Sequence, residues 1–201
     1  MKFLPAFFLT LISLLLSCSH TYQRPDDYQN PIIQIDTEVG SMTFELYEDK
    51  VPNAVSHFIT LIESDFYKNM IFHGIVSNTL VQGGCPNTKP DAKEKMGSGN
   101  AGYFIAEEFH PELTHNQKGI LSLLKASEPS TVSSQFIITL DKLPVIDGKH
   151  TVIGKLIKGK EILEILESAG SPNGQILREI EFSIKLIRKN NIEYKVIKID
   201  K

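Results

Sequence analysis

The sequence predicts a mainly β fold, an antiparallel barrel or sandwich whose ends are covered by two helices. Three observations support this prediction. About eight short segments alternate apolar and polar residues at the period of a β-strand. Only two segments, far apart in the chain, show helical periodicity. Strands and helices do not alternate regularly, which argues against a doubly wound parallel sheet.

The first residues of the chain are set apart from the predicted fold. Residues 1–17 contain one basic residue followed by an apolar run from Phe3 to Leu16, which suits a signal peptide and is short for a membrane-spanning helix. The run ends in Ser17-Cys18 and resembles a bacterial lipoprotein signal, in which the cysteine becomes the lipidated N-terminus. We therefore expect a lipid on Cys18. A plain secretory signal and an uncleaved anchor are the alternatives.

Composition then divides the rest of the chain into three parts. Residues 18–30 are polar and turn-rich, which predicts a tether. Residues 31–189 carry the apolar periodicity and are predicted to form one domain. Residues 190–201 alternate only weakly and are predicted to be a tail or an edge strand.

The first half of the domain is predicted to contain a hairpin, a helix and two further strands. The segments IIQIDTEV and SMTFELYE alternate on either side of Gly40-Ser41, as in a tight hairpin. Its inward side chains are expected to be Ile33, Ile35, Phe44 and Leu46. A helix is expected to begin near Pro52, with one apolar face made of Ala54, Phe58, Leu61 and Ile62. The elements that follow are strands at 70–76 and 79–82 and a long loop at 86–102.

The second half is predicted to supply the remaining strands and the second helix. Three strands are predicted for GILSLLKA, SQFIITLD and HTVIGKLI. The segment KGKEILEILESAG predicts a short amphipathic helix that ends at Gly170. A last strand is predicted for EIEFSIKLI.

Charge and residue types exclude several classes of function. The net charge of −3 argues against a nucleic-acid partner. With Cys18 lipidated, Cys85 is the one remaining thiol, which predicts a structural thiol and no internal disulfide. The sequence contains no zinc motif and no nucleotide loop, so we expect neither metal nor cofactor.

Three histidines are expected to be structural or solvated. His110 and His115 are expected to be solvated loop residues, a metal pair being the weaker alternative. His57 is expected on the helix surface or its shoulder.

Four segments, in order, resemble the cyclophilin family of peptidyl-prolyl cis–trans isomerases. They are IFHGIV with LVQGG, KGILSLL, SSQFIITL and IDGKHTVIGK, and the resemblance extends from about Ile32 to Ile187. It implies a closed eight-stranded antiparallel β-barrel capped by two α-helices. It also implies isomerisation of X–Pro bonds in proline-containing polypeptides, without a cofactor. We expect the protein to be a monomer.

The resemblance further implies a set of site residues. Gln82 matches the glutamine that contacts the backbone of the bound peptide, and His150 matches the histidine near the proline; these two are predicted to be catalytic. The predicted substrate-binding residues are Leu80, Lys125, Gln135, Ile137, Val145 and Ile146. Outside the family pattern, Gln82 and His150 would be ordinary strand and loop residues, and the apolar members could equally be core.

The sequence also departs from the family pattern at positions that carry its chemistry. The catalytic arginine of the family is replaced by Gly74, and the aromatic floor of the proline pocket falls on Thr79 and Ile137. Val145 stands where many members have a tryptophan. Lys125 stands at the second position of an Ala-Asn pair, where its amine could substitute for the missing cation, as could His150. We therefore expect weakened catalysis.

Three functions remain open from the sequence. The first is a lipid-anchored isomerase of the cell envelope, facing the periplasm or the exterior and assisting protein folding. The second is a non-catalytic module or holdase that binds proline-containing segments on the same fold. The third is a structural envelope lipoprotein whose groove is filled.

Overall fold

The structure, a computed structural model, describes residues 28–88, 95–126 and 130–199. The predicted signal, Cys18 and most of the tether therefore lie outside the described residues. No helix within these ranges is long and apolar enough to span a membrane.

One antiparallel sheet and two helices make up the described fold. The strands are β1 (Ile32–Thr37), β2 (Gly40–Leu46), β3 (Met70–Ile71), β4 (Gly74–Val76), β5 (Leu80–Gly83), β6 (Ile105–Ala106), β7 (Ile120–Lys125), β8 (Thr131–Thr139), β9 (Thr151–Lys158) and β10 (Glu181–Arg188). The helices are α1 (Pro52–Glu63) and α2 (Lys160–Ser168). The predicted class, a mainly β antiparallel fold with two helices, is confirmed.

The sheet curls until its two ends meet in one segment of the chain. Its strand order is β3-β10-β1-β2-β9-β7-β8-β5-β4, with β6 paired to β8. The end strands β3 and β4 are joined by Phe72-His73. The Phe72 N–H donates to the Ile180 carbonyl at 3.1 Å, and the His73 N–H donates to the Gln82 carbonyl at 3.0 Å. Segment 70–76 thus contacts both ends of the sheet. The predicted count of eight becomes ten because this segment splits in two and the short β6 was not foreseen.

The core lies inside the curled sheet and beneath α1. The predicted inward residues of β1, β2 and α1 are all buried: Ile33, Ile35, Phe44, Leu46, Ala54, Phe58, Leu61 and Ile62. At the centre, Phe72 stacks on Phe182 with ring centroids 4.4 Å apart. Phe136 meets Phe182 edge-on at 5.6 Å. These aromatic contacts fix β8 and segment 70–76 relative to each other, and both carry predicted site residues.

Helix α1 begins at Pro52 as expected, but its first turn depends on a distant residue. Val51 offers no capping side chain. The carboxylate of Glu108 instead accepts hydrogen bonds from the N–H groups of Asn53 and Ala54, at 3.3 Å and 2.6 Å. An anion at this end of a helix also complements the helix dipole.

His57 corrects one prediction about the helices, and Gly170 confirms another. His57 is completely buried, not at the surface of α1. Its Nε2–H donates to the Ser133 carbonyl and its Nδ1 accepts from the Tyr103 hydroxyl. Helix α2 ends at Ser168 with Ala169 as its C-cap, so Gly170 follows the helix end as predicted. The glycine is needed for packing, since a Cβ there would lie 2.4 Å from the Ile75 carbonyl.

Candidate active site

Strands β5 and β8 place the predicted glutamines on the outer face of the sheet. Along β5, Leu80 and Gln82 are half-buried and alternate with buried neighbours. Gln82 lies opposite Ile137 in the register of β5 and β8. Gln135 precedes Ile137 by two residues and therefore points to the same face. The period of two along each strand brings Gln82 and Gln135 together.

Hydrogen bonds fix the orientation of the Gln135 amide. Its Nε2 donates to the carbonyls of Gly97 and Gly99, at 2.8 Å and 2.9 Å. Its Oε1 is therefore the acceptor, and it receives the Gln82 Nε2–H at 2.9 Å and the His73 Nε2–H at 3.2 Å. One amide thus links segment 70–76, β5 and the loop around residue 98.

His73 is the third side chain of this network, and it bonds the Gln135 amide. Burial lowers the pKa of His73, and its hydrogen bond to Gln135 opposes that shift. The imidazole is therefore neutral at pH 7, with its proton on Nε2. Its buried Nδ1 has no hydrogen-bond partner among the described residues. Sequence reasoning had used His73 as a family marker without giving it a role.

Gly74 lies directly beneath the Gln82 side chain. The two residues are partners across β4 and β5. A Cβ at position 74 would lie 3.2 Å from the Gln82 Cβ and 3.4 Å from its Oε1. Gln82 therefore occupies much of the space that a side chain at position 74 would need. The position where the family has arginine is thus half-buried and lies against Gln82.

A pocket of about 360 Å³ opens beside the two glutamines. It is lined by Gln82, Gly97, Ser98, Gly99, Asn100, Phe104, Leu124, Lys125, Ala126, Ser133 and Gln135. We call it the glutamine pocket. Lys125, at its rim, is the one cationic residue among them, and its Nζ lies 3.7 Å from Glu107 Oε2. The amine is therefore shared with a carboxylate and is not free.

His150 contacts the backbone of Lys125, which lines the glutamine pocket. The Lys125 N–H donates to His150 Nδ1 at 3.1 Å, so the neutral ring carries its proton on Nε2. Burial lowers the pKa of His150, and the nearby His115, Lys125 and Lys149 lower it further. His150 is thus a neutral donor at pH 7. Its ring lines a second pocket of about 380 Å³ with Phe109 and Val152, and it is not part of the glutamine pocket.

A buried histidine anchors the loop that carries Ile146 and His150. His115 donates to Asp147 Oδ1 from its backbone N–H and from Nδ1, both at 2.7 Å. Its Nε2 bonds the Ser122 hydroxyl at 2.8 Å. Burial lowers the pKa of His115. Burial raises the pKa of Asp147, but its bonds to His115 outweigh that effect and hold the pKa below the usual value.

The prediction that His115 is a solvated loop residue is therefore wrong. Its side chain is completely buried because it joins Asp147 to β7. Asp147 belongs to the IDGKH segment that the sequence had already singled out, so its carboxylate was a signal for this contact. No cluster of metal-ligating side chains occurs within the described parts of the chain.

The apolar residues predicted to hold the proline differ in accessibility. Ile137 is completely buried, which excludes it as an exposed pocket floor. Leu80, Thr79 and Ile146 are half-buried. Val145 is 66% exposed at the edge of the loop. The structure thus leaves Leu80 and Ile146 as accessible apolar positions.

Cations near the glutamines are scarce in the described part of the chain. Arg178 pairs with Glu38, and Arg188 donates to the Asn30 carbonyl. Both arginines are thus engaged away from the site, and Arg24 lies outside the described residues. Cys85 is buried, and its sulfur accepts the Gly99 N–H at 3.2 Å, as fits a structural thiol.

Sequence comparison places these features in one family. The family profile described as "Cyclophilin type peptidyl-prolyl cis-trans isomerase/CLD" matches residues 32–185. The chain is 39% identical over 132 residues to "Peptidyl-prolyl cis-trans isomerase-like 1" of Aspergillus fumigatus. The aligned residues make up 66% of this chain and 79% of that protein. The similarly named protein of Aspergillus oryzae is 35% identical over 161 residues, or 80% of this chain and 95% of the relative.

A solved structure shows the same fold. The cyclophilin-type peptidyl-prolyl cis-trans isomerase of Cryptosporidium parvum, determined in the presence of the dipeptide Ala-Pro, superposes with a TM-score of 0.70 at 34% identity. The superposition covers 79% of this chain and 99% of the solved chain.

Proposed function

Because the chain belongs to the cyclophilin-type peptidyl-prolyl cis–trans isomerases, we propose that it binds proline-containing segments of exported polypeptides and isomerises their X–Pro bonds with weakened catalysis. The observation that carries this proposal is the hydrogen-bonded pair of Gln82 and Gln135 beside an open pocket. The Gln82 amide offers directional contacts to a peptide backbone, and Gln135 holds that amide in place.

We assign the reacting peptide to the surface between Gln82 and His150. Leu80 and Ile146 would hold the proline ring, since they are the accessible apolar residues among the matched positions. Gln82 retains its carbonyl oxygen and one N–H for the peptide backbone, because Nε2 makes a single bond to Gln135. Lys125 and Gln135 would border the residues that precede the proline.

The reaction needs stabilisation of a twisted amide and no covalent step. Rotation about the X–Pro bond passes a barrier near 18–20 kcal/mol, because the amide loses its double-bond character. A donor near the proline nitrogen favours the twisted state, in which that nitrogen regains its lone pair. The neutral His150 Nε2–H is one such donor.

Weakened catalysis follows from the residue at position 74. Gly74 supplies no guanidinium, and a Cβ at this position would lie 3.2 Å from the Gln82 Cβ. Lys125 is a point charge on a flexible stem, it is bound to Glu107, and it does not present the planar fork of an arginine. The site therefore keeps peptide contacts but has no preorganised cation among the described residues.

A coupled isomerisation assay on an Ala-Pro peptide tests the enzymatic part of the proposal. The full chain in detergent should shorten the relaxation time of the X–Pro bond, and Gln82→Ala should abolish that effect. Gln175→Ala, on the exposed loop after α2, is the matched control and should behave like the parent. A parent that never exceeds the uncatalysed rate would contradict the proposal.

A proline-binding module without turnover is the second candidate. It is favoured by the same feature that we expect to weaken catalysis, which is the absence of a side chain at position 74. Titration of the peptide followed by NMR separates this candidate from a groove that is filled and binds nothing. Binding without rate enhancement would establish the module.

The cellular location belongs to the proposal as well. The apolar run of residues 3–16 followed by Cys18 supports a lipid anchor in a bacterial cell envelope, with the domain facing the periplasm or the exterior. The polar stretch of residues 18–30 would then tether a monomeric domain to that membrane.

A further inference from the structure

The C-terminal segment, residues 190–199, lies beyond the family match, which ends at residue 185. The proposed function gives it no role. It is not a strand of the sheet, yet it follows a defined path across the surface. That path ends at the wall of the glutamine pocket.

The segment is first attached beside a buried carboxylate. The Asn190 side-chain N–H donates to Glu48 Oε2 at 2.5 Å. Tyr194 and Val196 then pack, partly buried, against the hydrophobic core. These contacts direct the chain from the end of β10 toward the first turn of α1.

The Asn53 side chain, on α1, forms two hydrogen bonds with the backbone of the segment. Its Oδ1 accepts the Ile197 N–H at 2.7 Å, and its Nδ2 donates to the Ile197 carbonyl at 3.1 Å. The Ile197 side chain itself is 74% exposed. Apolar burial therefore does not hold Ile197 in place, and the paired hydrogen bonds do.

Lys198 and Ile199, the last two residues of the segment, contact Tyr103-Phe104. The Ile199 N–H donates to the Phe104 carbonyl at 2.9 Å. The Lys198 Nζ lies 4.0 Å from the centroid of the Tyr103 ring, a cation–π contact.

Tyr103-Phe104 is in turn part of the pocket. Phe104 lines it together with Ser133. The Ser133 hydroxyl donates to the Tyr103 carbonyl at 2.8 Å, and the Tyr103 hydroxyl bonds His57 of α1 at 3.0 Å. This wall is thus held by β8, by α1 and by the C-terminal segment.

We propose that the C-terminal segment is a positioning element of the glutamine pocket, in which Lys198 and Ile199 hold Tyr103-Phe104 and thereby set the affinity for peptide. This inference rests on the proposed function, since it assigns the pocket to a peptide residue beside the X–Pro bond. Loss of the segment removes a contact made equally in the ground state and the transition state. It therefore raises KM and leaves kcat unchanged.

Three variants of the full chain test the inference. One ends at Val196, which removes residues 197–201 but keeps the core contacts of Tyr194 and Val196. The second is Lys198→Ala. The third, Lys195→Ala, is the matched control, because that lysine is exposed and pairs only with the equally exposed Glu193 among the described residues.

The KM for an Ala-Pro peptide should rise roughly two- to fivefold in Lys198→Ala. This is the fold-change that corresponds to the free energy of one exposed cation–π contact. The KM should rise further in the truncated chain. We expect Lys195→Ala to match the parent and kcat to stay constant throughout, while the melting temperature falls slightly in the two variants that lose contacts of the segment. Amide hydrogen exchange at Ala101 and Ile105, on either side of the wall, should accelerate in the truncated chain.

An unchanged KM together with unchanged exchange in the truncated chain would overturn the inference. An equal effect of Lys195→Ala would overturn it too, because it would show a general effect of tail charge. If the parent neither binds nor turns over peptide, the proposed function fails. The exchange rates at Ala101 and Ile105 then decide alone whether the segment holds the wall.

Discussion

At the scale of single residues, the site is governed by the relation between Gly74 and Gln82. The missing side chain at position 74 lets the Gln82 amide lie across β4 and bond Gln135. Position 74 therefore has two effects. It removes a cation from the site, and it shapes the amide that remains.

Gly74→Arg should recover part of the isomerase activity. A preorganised donor is worth on the order of 10²–10³ in rate in other enzymes. Recovery should be smaller because the new Cβ would lie 3.2 Å from the Gln82 Cβ, so that Gln82 must move. The measurement is kcat/KM on one Ala-Pro peptide. Gly74→Ala is the control for the steric effect alone and should not gain activity; a gain there equal to that of the arginine would contradict this explanation.

Aromatic replacements in the pocket should differ in their outcome. Thr79→Phe, at a half-buried position, should add apolar contact and strengthen binding further in the Gly74→Arg background. Ile137→Phe should instead destabilise the fold by about 1–3 kcal/mol, because Ile137 is completely buried and the larger ring overpacks its site. Urea unfolding of the two single variants checks this contrast. Equal stability in both would show that Ile137 has room to spare.

At the scale of elements, the sequence was most informative where periodicity and burial coincide. The inward residues of β1 and β2 and the apolar face of α1 followed directly from spacing. His57 and His115 could not be placed in this way. Their partners Ser133 and Asp147 lie 76 and 32 residues away, so only the folded chain brings them together. The sequence left open whether Ile137 is core or pocket for the same reason, because packing on the outer face of a sheet depends on the loops that cover it.

The start of α1 provides a prediction at this scale. Glu108→Ala should destabilise the protein by about 0.5–2 kcal/mol, the usual cost of losing a helix cap. Two backbone N–H groups would lose their acceptor, and the anion would leave the positive end of the helix dipole. Glu112→Ala is the control, since this exposed residue pairs with Lys50 and caps nothing among the described residues. Equal melting temperatures for the two variants would contradict the capping role.

At the scale of the whole molecule, buried histidines make stability depend on pH. Burial lowers the pKa of His57 to about 4 from a usual 6.5, and His73, His115 and His150 shift in the same direction. The unfolded chain therefore binds protons more readily than the folded one. The stabilisation is fully present above pH 6.5 and is lost as pH falls through about 4.

For His57 alone, the loss amounts to about 3 kcal/mol across that range. Urea unfolding between pH 7.5 and 4.5 should show the decline. His57→Gln keeps a donor toward the Ser133 carbonyl but cannot titrate, so its stability should fall less steeply. If the variant and the parent have the same pH dependence, His57 is not responsible.

We propose that attachment of the whole molecule to a membrane depends on Cys18. The small residue before Cys18 and the apolar run of residues 3–16 lead us to expect that Cys18→Ala releases the protein from the membrane fraction. Ser19→Ala, next to the cysteine, is the control and should remain bound. If cleaved Cys18→Ala protein stays with the membranes, the anchor lies elsewhere.

We propose that this cyclophilin-type chain keeps the peptide contacts of its family while lacking the preorganised cation that drives the reaction. The most direct test is the kcat/KM of the full chain on an Ala-Pro peptide, measured beside a family member that has arginine at the position of Gly74. We expect a value above the uncatalysed background and on the order of 10²–10³ below the arginine-bearing enzyme. A value equal to that enzyme would contradict this proposal and would show that another group, Lys125 or His150, supplies the missing donor.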